Sequence, residues 1–170
     1  MMKITKISLL LICFSFVGCD TYQGDGNLIN HDSFDANKKY TLDLGNINLS
    51  KNGLYKYTSS FLPKDKFVFG LEISSKHVIE NPLPINAHLE IIVTDSKGVK
   101  VIEESAPIID WVWTIARDSN HTFVYRRGEK GTYLSVNPLD TYSINLNVTN
   151  ADESGNMLEV KFIGRTGGWK

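Results

Sequence analysis

An all-β fold, a single antiparallel β-sandwich of immunoglobulin-like or jelly-roll type, is predicted for residues 38–170 from hydrophobic period, segment length and turn chemistry. Phe67, Phe69, Leu71 and Ile73 alternate with Val68, Gly70 and Glu72, and Tyr142, Ile144, Leu146 and Val148 alternate with Ser143, Asn145 and Asn147. A period of two gives a strand with one dry face. The segments carrying it are short, and turn material separates them: Asn52-Gly53, Arg127-Gly128, Lys130-Gly131 and Ser154-Gly155-Asn156. Short amphipathic strands of this kind bury their apolar faces by packing two sheets together. A small β-barrel is the alternative closure.

Taken along the chain, the strands are expected at Tyr40–Leu44, Leu54–Ser59, Phe67–Ile73, Leu89–Val93 and Val99–Glu103, then at Trp111–Ala116, Thr122–Arg127, Thr132–Val136, Tyr142–Val148 and Leu158–Phe162. Leu89, Ile91 and Val93 alternate cleanly, and Asp95-Ser96-Lys97-Gly98 turns the chain into Val99. A glycine closing such a turn adopts positive φ without steric cost, which makes this a hairpin signal. Leu158, Val160 and Phe162 repeat the pattern against Glu159 and Lys161. Pro82 and Pro84 mark a longer irregular link.

Ahead of this domain the composition changes twice. Lys3 and Lys6 precede an apolar run, Ile7 to Val17, and small Gly18 stands before Cys19, the three-part layout of an export signal. At about 1.5 Å per residue the run reaches roughly half of a ~30 Å hydrocarbon core, too short for a spanning helix. Asp20 to Asn37 follows, rich in Asp, Asn and Gly, and is expected to be a mobile tether on which Leu28, Ile29 and Phe34 can dock back. The expected organisation is therefore a signal peptide at 1–18, a lipidated cysteine and tether at 19–37, and the sandwich at 38–170.

Phe16-Val17-Gly18-Cys19 resembles the lipobox of bacterial membrane-anchored lipoproteins, with Phe16 where leucine is usual. The resemblance implies diacylglyceryl transfer to the Cys19 thiol, cleavage before it and acylation of the new amine. It also implies that Asp20 acts as a sorting residue, retaining the protein at the inner membrane, lipid-anchored and facing the periplasm. Two or three acyl chains, at roughly 0.8 kcal/mol per buried methylene, hold such an anchor effectively for good.

With Cys13 in the signal and Cys19 acylated, no thiol remains for a disulfide, a thiolate metal site or cysteine catalysis. Removing Lys3 and Lys6 leaves sixteen basic residues against nineteen acidic, a formal charge of −3, which gives nucleic acid nothing to bind. Arg126, Arg127 and Lys130 lie beside Glu129 and read as a solvated hairpin end. His31, His77, His88 and His121 show no i, i+2 or i, i+4 spacing, and no Gly-x-Ser-x-Gly elbow is present. Asp110 with Asp140, or Asp152 with Glu153, read as solvated loop carboxylates, and Asp152 to Asn156 as a turn without EF-hand spacing. No catalytic residue, metal or cofactor is expected.

Two aromatic features remain. In a strand Trp111 and Trp113 share a face; outward they make a platform for a sugar ring or a protein, inward they are core. The chain ends Gly164-Arg165-Thr166-Gly167-Gly168-Trp169-Lys170, where Trp169 either packs across the sandwich end or, with Arg165, hooks a partner. The expected function is non-enzymatic binding of a protein partner by a periplasmic sandwich, as in lipoproteins of similar plan that serve as envelope assembly parts or immunity proteins. The alternative is a glycan or cell-wall binding module using an exposed Trp pair. Metabolic labelling with radioactive palmitate should mark the wild-type chain and leave Cys19→Ser unlabelled; a label that persists in the variant would overturn the anchor.

Overall fold

Alternating apolar residues become strands wherever their dry faces can meet across one core. The structure is a computed structural model describing residues 22–31, 39–74, 85–115, 121–127, 131–156 and 158–167. In order the strands are β1 (Gln23–Gly24), β2 (Asn27–His31), β3 (Lys39–Ile47), β4 (Gly53–Ser60), β5 (Lys66–Ser74) and β6 (His88–Thr94). They continue with β7 (Lys100–Pro107), β8 (Val112–Ile115), β9 (His121–Tyr125), β10 (Tyr133–Ser135), β11 (Thr141–Thr149) and β12 (Glu159–Arg165). Two antiparallel sheets form, one ordered β1-β4-β11-β6-β7 and the other β2-β3-β12-β5-β9-β8, with β10 pairing β5 beside β9. The sheets pack face to face as a β-sandwich and do not close into a barrel.

The core lies between the sheets. Leu89, Ile91 and Val93 of β6 meet Tyr142, Ile144, Leu146 and Val148 of β11 on one side, while Phe67, Phe69, Leu71 and Ile73 of β5 face them with Val160 and Phe162 of β12. The ring of Phe162 bridges the layers, 5.8 Å from Tyr57 of β4 and 6.1 Å from Phe69. The second sheet departs from the one-dry-face expectation: Val68, Phe123, Tyr125 and Ile163, on its outer side, are also buried. Gly70 belongs to the same row, where a Cβ would lie 2.3 Å from the Val124 carbonyl oxygen. Arg165, two residues beyond Ile163, lays its guanidinium 4.2 Å from the Phe123 ring centre.

The expected tether boundary is corrected by β1 and β2. Residues 23–24 and 27–31 are sheet edges: Gln23 pairs Ser60, and Asn27 to His31 pair Asp43 to Lys39. Their composition looks like linker because an edge strand needs backbone hydrogen bonds more than apolar burial, and only Tyr22 and Leu28 pack on the core. The chain switches sheets at Asp25-Gly26. There the Asp25 amide donates to the Thr58 carbonyl at 2.8 Å, the Thr58 amide donates to the Asp25 carboxylate at 2.7 Å, and the Tyr22 hydroxyl donates to the Asp25 carbonyl. Gly26 sits at φ 84, with the Asp43 carbonyl oxygen 2.3 Å from where a Cβ would be. Phe34 and Asn37 lie outside the described residues, as do the expected signal segment and residues 19–21.

At the other flank β7 runs past the expected Glu103 to Pro107, then a 3-10 turn at Ile108–Asp110 carries the chain across to β8. Arg126 ties this flank together, donating to the Asp110 carbonyl at 2.6 Å and lying 3.8 Å from the Glu104 carboxylate. The loops gather at two ends. One end holds the turns at 61–65, 95–99 and 136–140, joined by the Val136 amide donating to the Asp65 carbonyl and the Ser96 hydroxyl donating to Asp140. The opposite end holds 48–52, 85–87 and 150–158, joined by Asn86 donating to Asp152 and the Ala151 amide donating to Asn52.

Phe162→Ala should lower unfolding free energy by about 3–5 kcal/mol in urea titration, whereas a loss below 1 kcal/mol would remove this ring from the centre of the core. Burial raises the hydroxyl pKa of Tyr22, Tyr57 and Tyr142 above the ordinary tyrosine value. Each keeps its full contribution below the unfolded value and loses it as pH rises through the folded one. Melting temperature should therefore fall above about pH 10, and Tyr142→Phe should flatten part of that decline.

Candidate binding surface

The residues singled out by sequence divide sharply once placed. Trp111 lies just outside β8, as the residue that ends the 3-10 turn, with its amide donating to the Ile108 carbonyl at 3.1 Å. Its indole is 3% exposed, belongs to the central core, and donates from Nε1 to the Ala106 carbonyl at 3.2 Å. Trp113, in β8, is partly buried against the same core. The pair therefore takes the inward alternative and offers no two-indole platform. Trp113 Nε1 is shielded from solvent with no hydrogen-bond partner among the described residues, an uncommon state for an indole donor.

Arg165 is engaged with Phe123 within its own sheet, a contact of the cation–π type. Cys19, Asp20 and Trp169 lie outside the described residues. Of the basic trio, Arg126 is held by Asp110 and Glu104, Arg127 is exposed, and Lys130 is outside the described residues.

Each described histidine is matched to a hydroxyl on a neighbouring strand: His31 with Thr41 at 3.0 Å, His88 with Ser105 at 2.8 Å, His121 with Ser74 at 2.9 Å. His77 is outside the described residues. The His121 site superficially suggests a relay, because the Glu72 carboxylate lies 3.8 Å away. Both neighbours, however, address the same ring nitrogen, Nδ1. A nucleophile–base–carboxylate relay needs the two partners on opposite nitrogens. Asp140 is spent on Ser96 and Asn137, away from Asp110, and Asp152 caps the turn at Glu153–Gly155. Hydrogen bonds from the Ser154 side chain and amide, then from Asn86, hold the Asp152 pKa below its usual value. Among the described residues no group of three His, Cys, Asp or Glu gathers for a metal, and no helix is long and apolar enough to cross a membrane.

A cleft of about 230 Å³ opens at the 150–158 end between Asn46, Ile47, Asn48, Asn156 and Leu158. It is lined without histidine, lysine or arginine, and Glu159 is its one ionisable group. The stronger surface is the β7 flank. β7 ends its sheet, so its outer row of backbone donors and acceptors pairs with no described strand. Its inward residues Ile102 and Ala106 are buried, while Val101 is 40% exposed and Ile109, in the turn that follows, is 57% exposed. An edge strand eight residues long is the geometry that β-strand addition uses; its outward row is Val101, Glu103, Ser105 and Pro107, so Val101 and Pro107 are its apolar members. Sequence reading missed this surface because no local pattern reveals which strand ends a sheet.

The two tryptophans should separate in denaturant titration. Trp111→Phe removes a satisfied donor and core volume and should cost about 2–4 kcal/mol. Trp113→Phe removes an unsatisfied donor, whose burial opposes folding by about 1–3 kcal/mol, and should stay within about 1 kcal/mol of wild type. Equal losses at both positions would contradict their different environments. Comparisons with protein-family models, with curated proteins and with solved structures found no match.

Proposed function

We propose that this protein is a non-enzymatic bacterial lipoprotein whose sandwich recognises a protein partner along the β7 flank. The observation that carries the reading is the coincidence of a strand edge unpaired among the described residues with the exposed Val101 and Ile109. An added strand would satisfy the main-chain groups of β7, and its alternate side chains would contact those two residues. The anchor is the acylated Cys19, held at the inner membrane and facing the periplasm under the influence of Asp20. The resemblance to lipoproteins of similar plan makes the partner an envelope assembly component or a toxin to be neutralised. The single hydroxyl matches of the described histidines, and the turn-capping duty of Asp140 and Asp152, support binding over catalysis. Glycan recognition through the Trp pair finds no support in an indole that is 3% exposed.

Val101→Arg with Ile109→Arg should leave the melting temperature within a few degrees of wild type, since both side chains are exposed. The lipidated double variant should lose a binding protein that the lipidated wild type captures from envelope extract. Capture of the same protein by both would move the interface elsewhere.

A further inference from the structure

We infer that the sandwich end holding the turns at 61–65, 95–99 and 136–140 is a membrane-contact face, seated on the headgroups of the bilayer that holds Cys19. The inference rests on the anchoring proposed above. Only Asp20 and Thr21 separate Cys19 from Tyr22, which already packs on the core and donates to Asp25. Three steps of at most about 3.8 Å put Tyr22 within roughly 11 Å of the acylated residue. That is close to the ~5–8 Å of one headgroup layer.

The direction of β1 selects the end. Gln23 pairs Ser60 and Gly24 pairs Ser59, so the chain before Gln23 leaves past the C-terminal end of β4, towards the 61–65 turn. The same row runs through Thr141 at the start of β11, and the 95–99 turn adjoins it through Ser96 and Asp140. This end suits a lipid surface. Leu139 is 83% exposed, the most exposed large hydrophobic among the described residues, and Val99 is 55% exposed. Around them Lys64, Lys66 and Lys97 are exposed. The described carboxylates at this end balance those three lysines in charge, and each is tied into a turn: Asp65 accepts from the Lys66 amide, Asp95 from the Lys97 and Val99 amides, and Asp140 from Ser96 and Asn137. Apolar tips flanked by long lysine side chains match the acyl boundary and the phosphate groups of a phospholipid leaflet.

The mature chain has no thiol besides Cys19, so a single introduced cysteine can report depth. Leu139→Cys and Leu54→Cys, each carrying an environment-sensitive fluorophore, would be placed in the lipidated protein reconstituted into phosphatidylethanolamine–phosphatidylglycerol vesicles. Leu54 is 57% exposed and lies near the opposite end of β4. The expected result is a blue shift and strong quenching by doxyl-labelled lipid at position 139, with position 54 remaining accessible to aqueous iodide. If palmitate is incorporated yet both positions stay aqueous, the contact face is overturned and the anchor stands. If wild-type protein takes up no palmitate, the anchor and the contact face fall together.

Discussion

Each sheet depends on a strand from the last third of the chain being inserted between strands from the first two thirds. β11 pairs β4 along eight residues and β6 along seven, and β12 lies between β3 and β5. Without those two strands neither sheet is continuous, and the inner faces of β5 and β6 have nothing to complete the core. Pairing between residues so distant in sequence requires loop closure before any contact forms, so the fold commits late and cooperatively. Phe162 shows why the commitment is stable once made: its ring touches both layers at once.

The flanks follow from this centre. A sandwich leaves two open sides, and here the chain itself crosses each of them. Asp25-Gly26 carries it between β1 and β2, and the 3-10 turn at Ile108–Asp110 carries it from β7 to β8. The first crossing is fastened by main-chain and carboxylate hydrogen bonds, and the second by Arg126 and the buried Trp111. One crossing fixes the end of the sandwich at which β1 begins, the other leaves β7 as an outer edge. The proposed anchor and the proposed recognition surface both build on how the two sides are closed.

Much of the fold was legible in residue order. The alternation in β5, β6, β11 and β12 located those strands, and Asp95-Ser96-Lys97-Gly98 located their clearest hairpin, where Gly98 adopts φ 79. β1 and β2 were hidden because Asn, Asp and Gly carry no burial signal, although each pairs along its length with one neighbouring strand. The buried outer row of Val68, Phe123, Tyr125 and Ile163 was hidden because alternation reports one face at a time. Trp111 and Trp113 looked equivalent in sequence, and one turn separated their fates.

By itself the sequence determined the class of fold, the strands with strong alternation, the absence of thiol chemistry after Cys19, and the resemblance of residues 16–19 to a lipobox. These are local or compositional properties, written in neighbouring side chains. Tertiary structure alone decided which strands stand at sheet edges, that Trp111 is core, and that residues 22–31 belong to the folded unit. It also decided that Leu139 and three lysines share one end of the sandwich with the start of β1. Such properties arise from register between segments far apart in the chain, and no local periodicity encodes the partner across a sheet.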